Sequence, residues 1–404
     1  MFWERPFNQA LARLRERVEA PVRLVLWDGH RIDFSDDPRV TVRLNGTRAA
    51  AAFARPSLAS LAEAYVDGHI DLDGELGEVI RAAEAFARSR HRRLFDAAGP
   101  TFARHRREDD RDAISRHYDL PDEFYALWLD PRRVYSCAYF REGSESLEQA
   151  QRDKLDHICT KLRLAPGERL LDIGCGWGSL VVHAAAHYGA DATGITLSRN
   201  QFESAQERIR AAGLEGRCRV LLEDYRDHRA TAPYDKVASI GMFEHVGLRN
   251  LAAYFGSVAR LLRDRGLFLN HGITSMDPAS RSVGLGAGEF IDRHVFPRGE
   301  LPHLHLVVRE MSEQGFEVHD VEGLRPHYAK TLGLWSAALE RRLAEARAIV
   351  DDRAVRIWRI YLAGCAHAFE RGWVSIHQVL ATRFAAPGPS GMPLTREWMY
   401  ARVK

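Results

Sequence analysis

The residues with the clearest chemical potential form one run, Asp172-Ile173-Gly174-Cys175-Gly176-Trp177-Gly178, preceded by Leu170-Leu171 and followed by a helical segment from Ser179 to Tyr188. A short apolar run that ends in an acidic residue and alternate glycines reads as a strand turning directly into a helix. Glycines let the backbone approach a ligand, and the helix start offers unpaired N–H groups, so the run suits a nucleotide-bearing cofactor. The plainer alternative is a tight turn without a ligand. Further polar residues fall just past the ends of predicted strands: Thr196 with Gln201, Glu223-Asp224-Tyr225, Glu244-His245 and Asn270-His271. Each alone would serve as a cap or turn residue. Together with Asp172 they make five clusters on one rim, which chance explains poorly.

The elements that must position them follow a strand-helix rhythm: strands over 168–173, 191–195, 217–222, 235–241 and 266–271, with helices over 179–188, 199–212 and 249–264. Such alternation predicts a parallel sheet covered on both faces, with ligands beyond the carboxyl ends of its strands. A dinucleotide fold would space its glycines as Gly-x-Gly-x-x-Gly and carry a carboxylate about 20 residues on. Here the third glycine comes one residue early, and the second strand runs into Thr196-Leu197-Ser198. The order Asp-x-Gly-x-Gly-x-Gly is similar to that of S-adenosylmethionine (SAM) methyltransferases. An aromatic stretch ahead of it, from Ser115 to Phe140, is expected to fold over the cofactor as a lid, and amphipathic helices over 335–348 and 355–369 are expected to close the chain.

At 404 residues the chain can bury a large core, and no apolar run is long enough to span a bilayer. The start, Met1-Phe2-Trp3-Glu4-Arg5-Pro6, lacks the pattern of a signal peptide, so a cytoplasmic location is expected. With 57 basic against 55 acidic residues the whole chain is no polyanion binder, and no nucleic-acid readout motif accompanies its charge. The five cysteines are scattered, which disfavours disulfides and a zinc site. Residues 1 to about 85 read as a small α+β unit without a catalytic constellation. Residues 81–107 then concentrate eight arginines, interleaved with Phe86, Leu94, Phe95 and Phe102. That segment suits an anionic membrane surface, or else is a solvated linker.

Taken jointly, His117-Tyr118-Asp119-Leu120, Tyr135-Ser136-Cys137, the glycine run, Thr196-Leu197-Ser198 with Gln201, Phe243-Glu244-His245, His271, Phe290-Ile291, Phe296-Pro297, His327-Tyr328 and Gly364-Cys365 resemble the cyclopropane-fatty-acyl-phospholipid synthases and their mycolic acid cyclopropane synthase relatives. The resemblance covers about residues 110 to 385. It implies a class I SAM-dependent methyltransferase, a Rossmann-like α/β sheet with a small α+β N-terminal domain, divided as 1–108 and 109–404. It implies methyl transfer from SAM to the cis double bond of phospholipid acyl chains. The resulting carbocation closes a ring by losing a proton from the new methyl group to a bound bicarbonate. The resemblance places that anion among Cys137, Ile240 (through backbone), Glu244, His271 and Tyr328, and makes Cys365 the family's active-site cysteine, although the chemistry needs no thiolate. For SAM it points to Tyr135, Ser136, Gly174, Gly176, Gly178, Thr196, Gln201 and the turn Glu223-Asp224-Tyr225, with Asp172 ordering the loop or meeting the methionine ammonium. Peripheral association with the inner face of an anionic membrane is expected, and a homodimer from family habit.

Three other readings compete. The same attack without ring closure gives a methyl-branched chain. A small-molecule methyltransferase on the same scaffold would not need the anion set, and an inactive lipid-binding scaffold would not need the glycine run.

Overall fold

The computed structural model describes residues 4–89, 94, 95 and 120–400. Two sheets organise them. The first part of the chain forms helices α1 (Glu4–Arg15), α2 (Thr47–Ala54), α3 (Leu58–Val66) and α4 (Leu76–Arg88) around strands β1 (Val22–Val25), β2 (Arg31–Asp33), β3 (Val40–Leu44) and β4 (Ile70–Asp73), ordered β2-β1-β3-β4. Alternation in Val40, Val42 and Leu44 turns one face of β3 inward, onto Phe53, Leu61, Ile80 and Phe86 of the helices. Ser57 and Ser60 form a reciprocal capping box that starts α3, and the Glu75 carboxylate caps α4.

The second part carries seven strands: β5 (Arg169–Ile173), β6 (Asp191–Thr196), β7 (Cys218–Leu222), β8 (Tyr234–Ile240), β9 (Leu262–Ser275), β10 (Phe316–Gly323) and β11 (Val374–Arg383), in the order β10-β11-β9-β8-β5-β6-β7. The helices are α5 (Asp122–Ala126), α6 (Leu147–Lys161), α7 (Ser179–Tyr188), α8 (Arg199–Ala211), α9 (Leu251–Leu261), α10 (Ala287–His294), α11 (Leu304–Glu313), α12 (Arg325–Arg341), α13 (Leu343–Ile349) and α14 (Asp352–Glu370). The strand-helix rhythm read from sequence is present, with two corrections. The sheet is mixed, because β11 lies antiparallel between β9 and β10. β11 is buried along nearly its whole length, so it lacks the alternation that marks a half-exposed strand. In addition, the first closing helix begins at Arg325, ten residues before the expected start, which places Tyr328 on a helix.

The two parts share a core through α14: Ala363 packs within the small domain's apolar cluster, while Tyr361 and Leu362 belong to the large one. Polar ties flank that seam. His367 Nε2 lies 2.6 Å from Glu84, His294 Nε2 lies 2.8 Å from Glu63, and Arg356 reaches Asp71 at 2.8 Å. Of the arginine cluster, Arg81 pairs with Glu75 and Glu78, and Arg88 with Glu84. Arg90, Arg92, Arg93, Arg104, Arg106 and Arg107 lie outside the described residues, as do the motif residues His117–Asp119 and the 108/109 boundary. No helix among the described residues is long and apolar enough to cross a membrane.

Candidate active site

β5 ends at Ile173, and Gly174 at φ 80° turns the chain sharply toward α7. The turn opens a cavity of about 140 Å3 lined by Tyr135, Ser136, Asp172, Gly174, Gly176, Thr196, Gln201, Glu223 and Tyr225. Nine of the eleven residues expected to hold SAM therefore converge. Gly178 does not line it: as the left-handed residue before α7 it allows close packing, with a Cβ there only 3.1 Å from Ala205. Asp224 does not line it either, since its carboxylate takes Arg226 Nε and Nη2 at 2.9 and 2.6 Å. Glu223 is the lining carboxylate of that turn, held 2.8 Å from His228 Nδ1.

Thr196 donates its hydroxyl to Gln201 Oε1 at 2.9 Å, and Ser198 caps α8, so strand end and helix start are locked together. The expected lid is also present in part. Asp122 on α5 accepts from Trp177 Nε1 at 3.0 Å and Asn200 at 2.9 Å, and Tyr125 packs on Trp177 at 5.2 Å, which clamps the stretch 120–136 over the glycine turn.

Asp172 is buried, one of its oxygens has no hydrogen-bond partner, and burial pushes its pKa up to about 7. A buried carboxylate in that state calls for a cationic donor, which fits the methionine ammonium of SAM. The neighbouring cation is Lys154 on α6, whose pKa burial lowers to about 8 and whose Nζ donates to Ser136 Oγ at 2.9 Å. Sequence reasoning missed Lys154. Its spacing of four from Ala150 and Ile158 put it on the inward face of α6, but a lone lysine there reads as a solvated side chain. Lys154→Met should weaken SAM binding about tenfold without changing the product, measured by titration calorimetry, because Ser136 loses its donor.

Beside it, a second cavity of about 660 Å3 is lined by all six residues expected at the catalytic centre: Cys137, Ile240, Glu244, His271, Tyr328 and Cys365. Glu244 sits in a short 3-10 turn after β8, where its Oε1 accepts from Ile273 N–H at 2.6 Å. Its Oε2 has no partner, and burial raises its pKa to about 7. His271 is fully buried and held neutral, its pKa pushed well below the usual value by burial and by Lys154 and Lys161. Gln378 Nε2 lies 3.3 Å from His271 Nδ1. With the Gln378 amide in this orientation its N–H donates to Nδ1, which assigns the ring proton to the unpartnered Nε2. Burial keeps the Tyr328 hydroxyl protonated, and it keeps the Cys137 thiol protonated too.

The cavity thus presents a neutral imidazole N–H, a phenol and a carboxyl poised near neutrality. Two orphaned buried atoms among them, Glu244 Oε2 and His271 Nε2, fit a small polar anion such as bicarbonate. The Cys365 thiol is pushed up to about 12, so Cys365 lines the cavity as a protonated group and not as a thiolate.

The two cavities share Tyr135, Ser136, Ile240, Gly241 and His245 as a common wall. Gly241 and the role of His245 were not singled out from sequence. A turn glycine and one member of a quoted motif carry no signal of a shared wall until β8 and the 3-10 turn are placed.

A family model described as mycolic acid cyclopropane synthetase matches residues 105–379, and one described as a domain of unknown function matches residues 9–93. The chain is 47% identical over 388 residues to a probable fatty acid methyltransferase of Pseudomonas putida, covering 95% of this chain and 98% of that one. It is 39% identical over 273 residues to cyclopropane mycolic acid synthase 1 of Mycobacterium tuberculosis, covering 66% and 94% respectively. Among solved structures, the mycolic acid cyclopropane synthase CmaA1 complexed with SAH and CTAB aligns with a TM-score of 0.64 at 36% identity, over 71% of this chain and all of that one.

Proposed function

Because the chain belongs to the mycolic acid cyclopropane synthetase family and is a SAM-dependent methyltransferase of the cyclopropane synthase type, we propose that it methylates the cis double bond of phospholipid acyl chains and closes a cyclopropane ring. The observation that carries this reading is the common wall. Residues 135–136 and 240–241 separate a smaller, more polar cofactor cavity from a larger, mainly apolar one containing the Glu244–His271–Tyr328 set. The relatives named for fatty acid and mycolic acid substrates support a long acyl chain as acceptor.

When bound, SAM supplies a sulfonium-linked methyl group and bicarbonate a proton acceptor. Asp172, Gly174, Gly176, Thr196 and Glu223 would hold the cofactor from the β5, β6 and β7 ends, with Ser136 fixed by Lys154. His271 Nε2–H and the Tyr328 hydroxyl donate into the acyl cavity, and Glu244 Oε2 gives or takes a proton there. Tyr361 and Phe296, packed edge to face at 5.9 Å, line the cavity and exclude water, and their π-faces favour a developing cation on the acyl chain.

The test is gas chromatography with mass spectrometry of acyl methyl esters from cells expressing the protein. A cyclopropane ester is expected. Unchanged lipids would overturn the reading. A methylene-branched ester would favour the second reading, methylation without ring closure, which the name of the Pseudomonas putida relative equally suits.

The acceptor lies in a membrane, so an anionic surface is the partner in this proposal. Arg92→Glu combined with Arg93→Glu should lower cosedimentation with anionic liposomes severalfold, since each cation contributes on the order of 1 kcal/mol near such a surface. Unchanged cosedimentation would return that stretch to a linker.

A further inference from the structure

The larger cavity does not stop at the catalytic residues. It continues between the small domain's sheet and its helices, lined there by Val42, Phe53, Leu61, Leu72, Ile80 and Ala83 among others. These come from β3, α2, α3, β4 and α4, so the space lies where a domain of this kind would ordinarily have a filled core. We propose that the small domain is the receptacle for the methyl-terminal part of the acyl chain, and that it measures the length of chain beyond the double bond.

The proposal rests on the acyl-chain reading above, and three observations carry it. First, the space is continuous with that around Glu244, His271 and Tyr328, so one occupant can fill both parts. Second, the lining is asymmetric. Among the described residues, all its charged side chains, Arg281, Glu289, Asp292, Arg298 and Glu300 besides Glu244, come from the large domain, whereas the small domain contributes apolar groups and one hydroxyl, that of Tyr65. Arg359 already engages that hydroxyl. A head group or an ester would be left unsolvated in the apolar arm, and only hydrocarbon escapes that penalty. The chain must therefore lie with its methyl end in the small domain.

Third, α14 joins the two ends physically. Cys365 and Tyr361 line the catalytic region, while Ile360, one residue from Tyr361, packs against the small domain's cluster. The domain is held in place by Glu84–His367, Glu63–His294 and Asp71–Arg356, so the arm is a fixed part of the acyl site. A volume of about 660 Å3 falls within the range of about 300–1,000 Å3 typical of pockets that enclose a ligand.

Each methylene buried is worth about fourfold in affinity, so a wall moved inward by a large side chain should be read out as chain length. The experiment uses the full-length protein and vesicles carrying two phospholipids. Their cis-monounsaturated chains are identical from the ester to the double bond and differ by two methylenes beyond it. Ala83→Phe is expected to shift the product ratio toward the shorter chain by about tenfold relative to the unsubstituted protein. An unchanged ratio overturns the proposal. Failure of the unsubstituted protein to methylate either lipid overturns the acyl reading itself, and the proposal with it.

If Ala83→Phe does not fold, the unsubstituted protein is photolabelled with a phospholipid bearing a diazirine at the acyl terminus. Labelled peptides from within 40–86 are expected. Label confined to 280–301 would reverse the chain and overturn the assignment.

Discussion

Glu244→Gln lowers kcat by about two orders of magnitude and leaves the SAM dissociation constant within about twofold, the loss expected for one proton-transfer group. Glutamine is the informative replacement because it retains the local geometry. Its carbonyl still accepts from Ile273 N–H, now held at 2.6 Å, and its amide places a donor at the position of Oε2, as the protonated carboxyl does. What it loses is the capacity to take up a proton. Turnover of the unsubstituted enzyme should rise with pH through about 7 or above, as this carboxyl ionises, and the variant should lack that limb. A parallel loss of SAM affinity would instead assign Glu244 to the cofactor side of the wall.

The same shift has a consequence for stability with the opposite pH trend. The folded carboxyl, raised from 4.5 to about 7, binds its proton more tightly than the unfolded one. Its contribution is therefore full below about 4.5 and is lost as pH rises through about 7, on the order of 3 kcal/mol in the ligand-free protein. Denaturant titrations at pH 5 and 8 should show that fall diminished in Glu244→Gln.

Much of the large domain was legible because its signals are local. A strand, a run of glycines and a helix appear in order, and the ends of helix α7 coincide with those read from the sequence. The site residues were named through motifs, and the structure brings Cys137, Ile240, Glu244, His271, Tyr328 and Cys365 into one cavity although 228 positions separate the first from the last. What escaped had no local signature. β11 is buried on both faces, so its pattern carries no period. Lys154 acquires its meaning only when Asp172 and Ser136 are placed beside it. Nothing in the sequence marks Val42 and Ile80 of the small domain as cavity-lining, because a side chain that lines a hydrocarbon cavity is chosen by the same rule as one that fills a core.

Gly272→Ala should be more damaging still, by a route that involves no catalytic group directly. Gly272 lies in β9 opposite His377 and keeps an ordinary extended backbone, so its role is space and not conformational freedom. A Cβ built there falls 1.8 Å from Phe243 Cε1 and 2.1 Å from Cδ1. The ring cannot retreat, since Phe243 is 1% exposed and packs in the cluster that contains Leu251, Tyr254 and Phe255. Phe243 also begins the 3-10 turn that carries Glu244 and His245, so relief of the clash must move the carboxyl relative to Ile273 and the imidazole at the common wall.

Overpacking of this kind costs about 3 kcal/mol, near the upper end of its usual range, which corresponds to a fall in Tm of about 3–5 °C for a protein of this size. An activity loss of about 100-fold or more should accompany it, because sub-ångström placement governs both methyl transfer and proton removal. The discriminating measurement is the double variant. Phe243→Leu removes the ring atoms that the new methyl strikes, so Gly272→Ala with Phe243→Leu should recover part of the Tm and of the activity lost in Gly272→Ala. In free-energy terms the two changes should couple by about 1–3 kcal/mol. Simple additivity would mean that strand β9 absorbs the methyl group elsewhere, and that the position of Glu244 does not depend on the contact between Gly272 and Phe243.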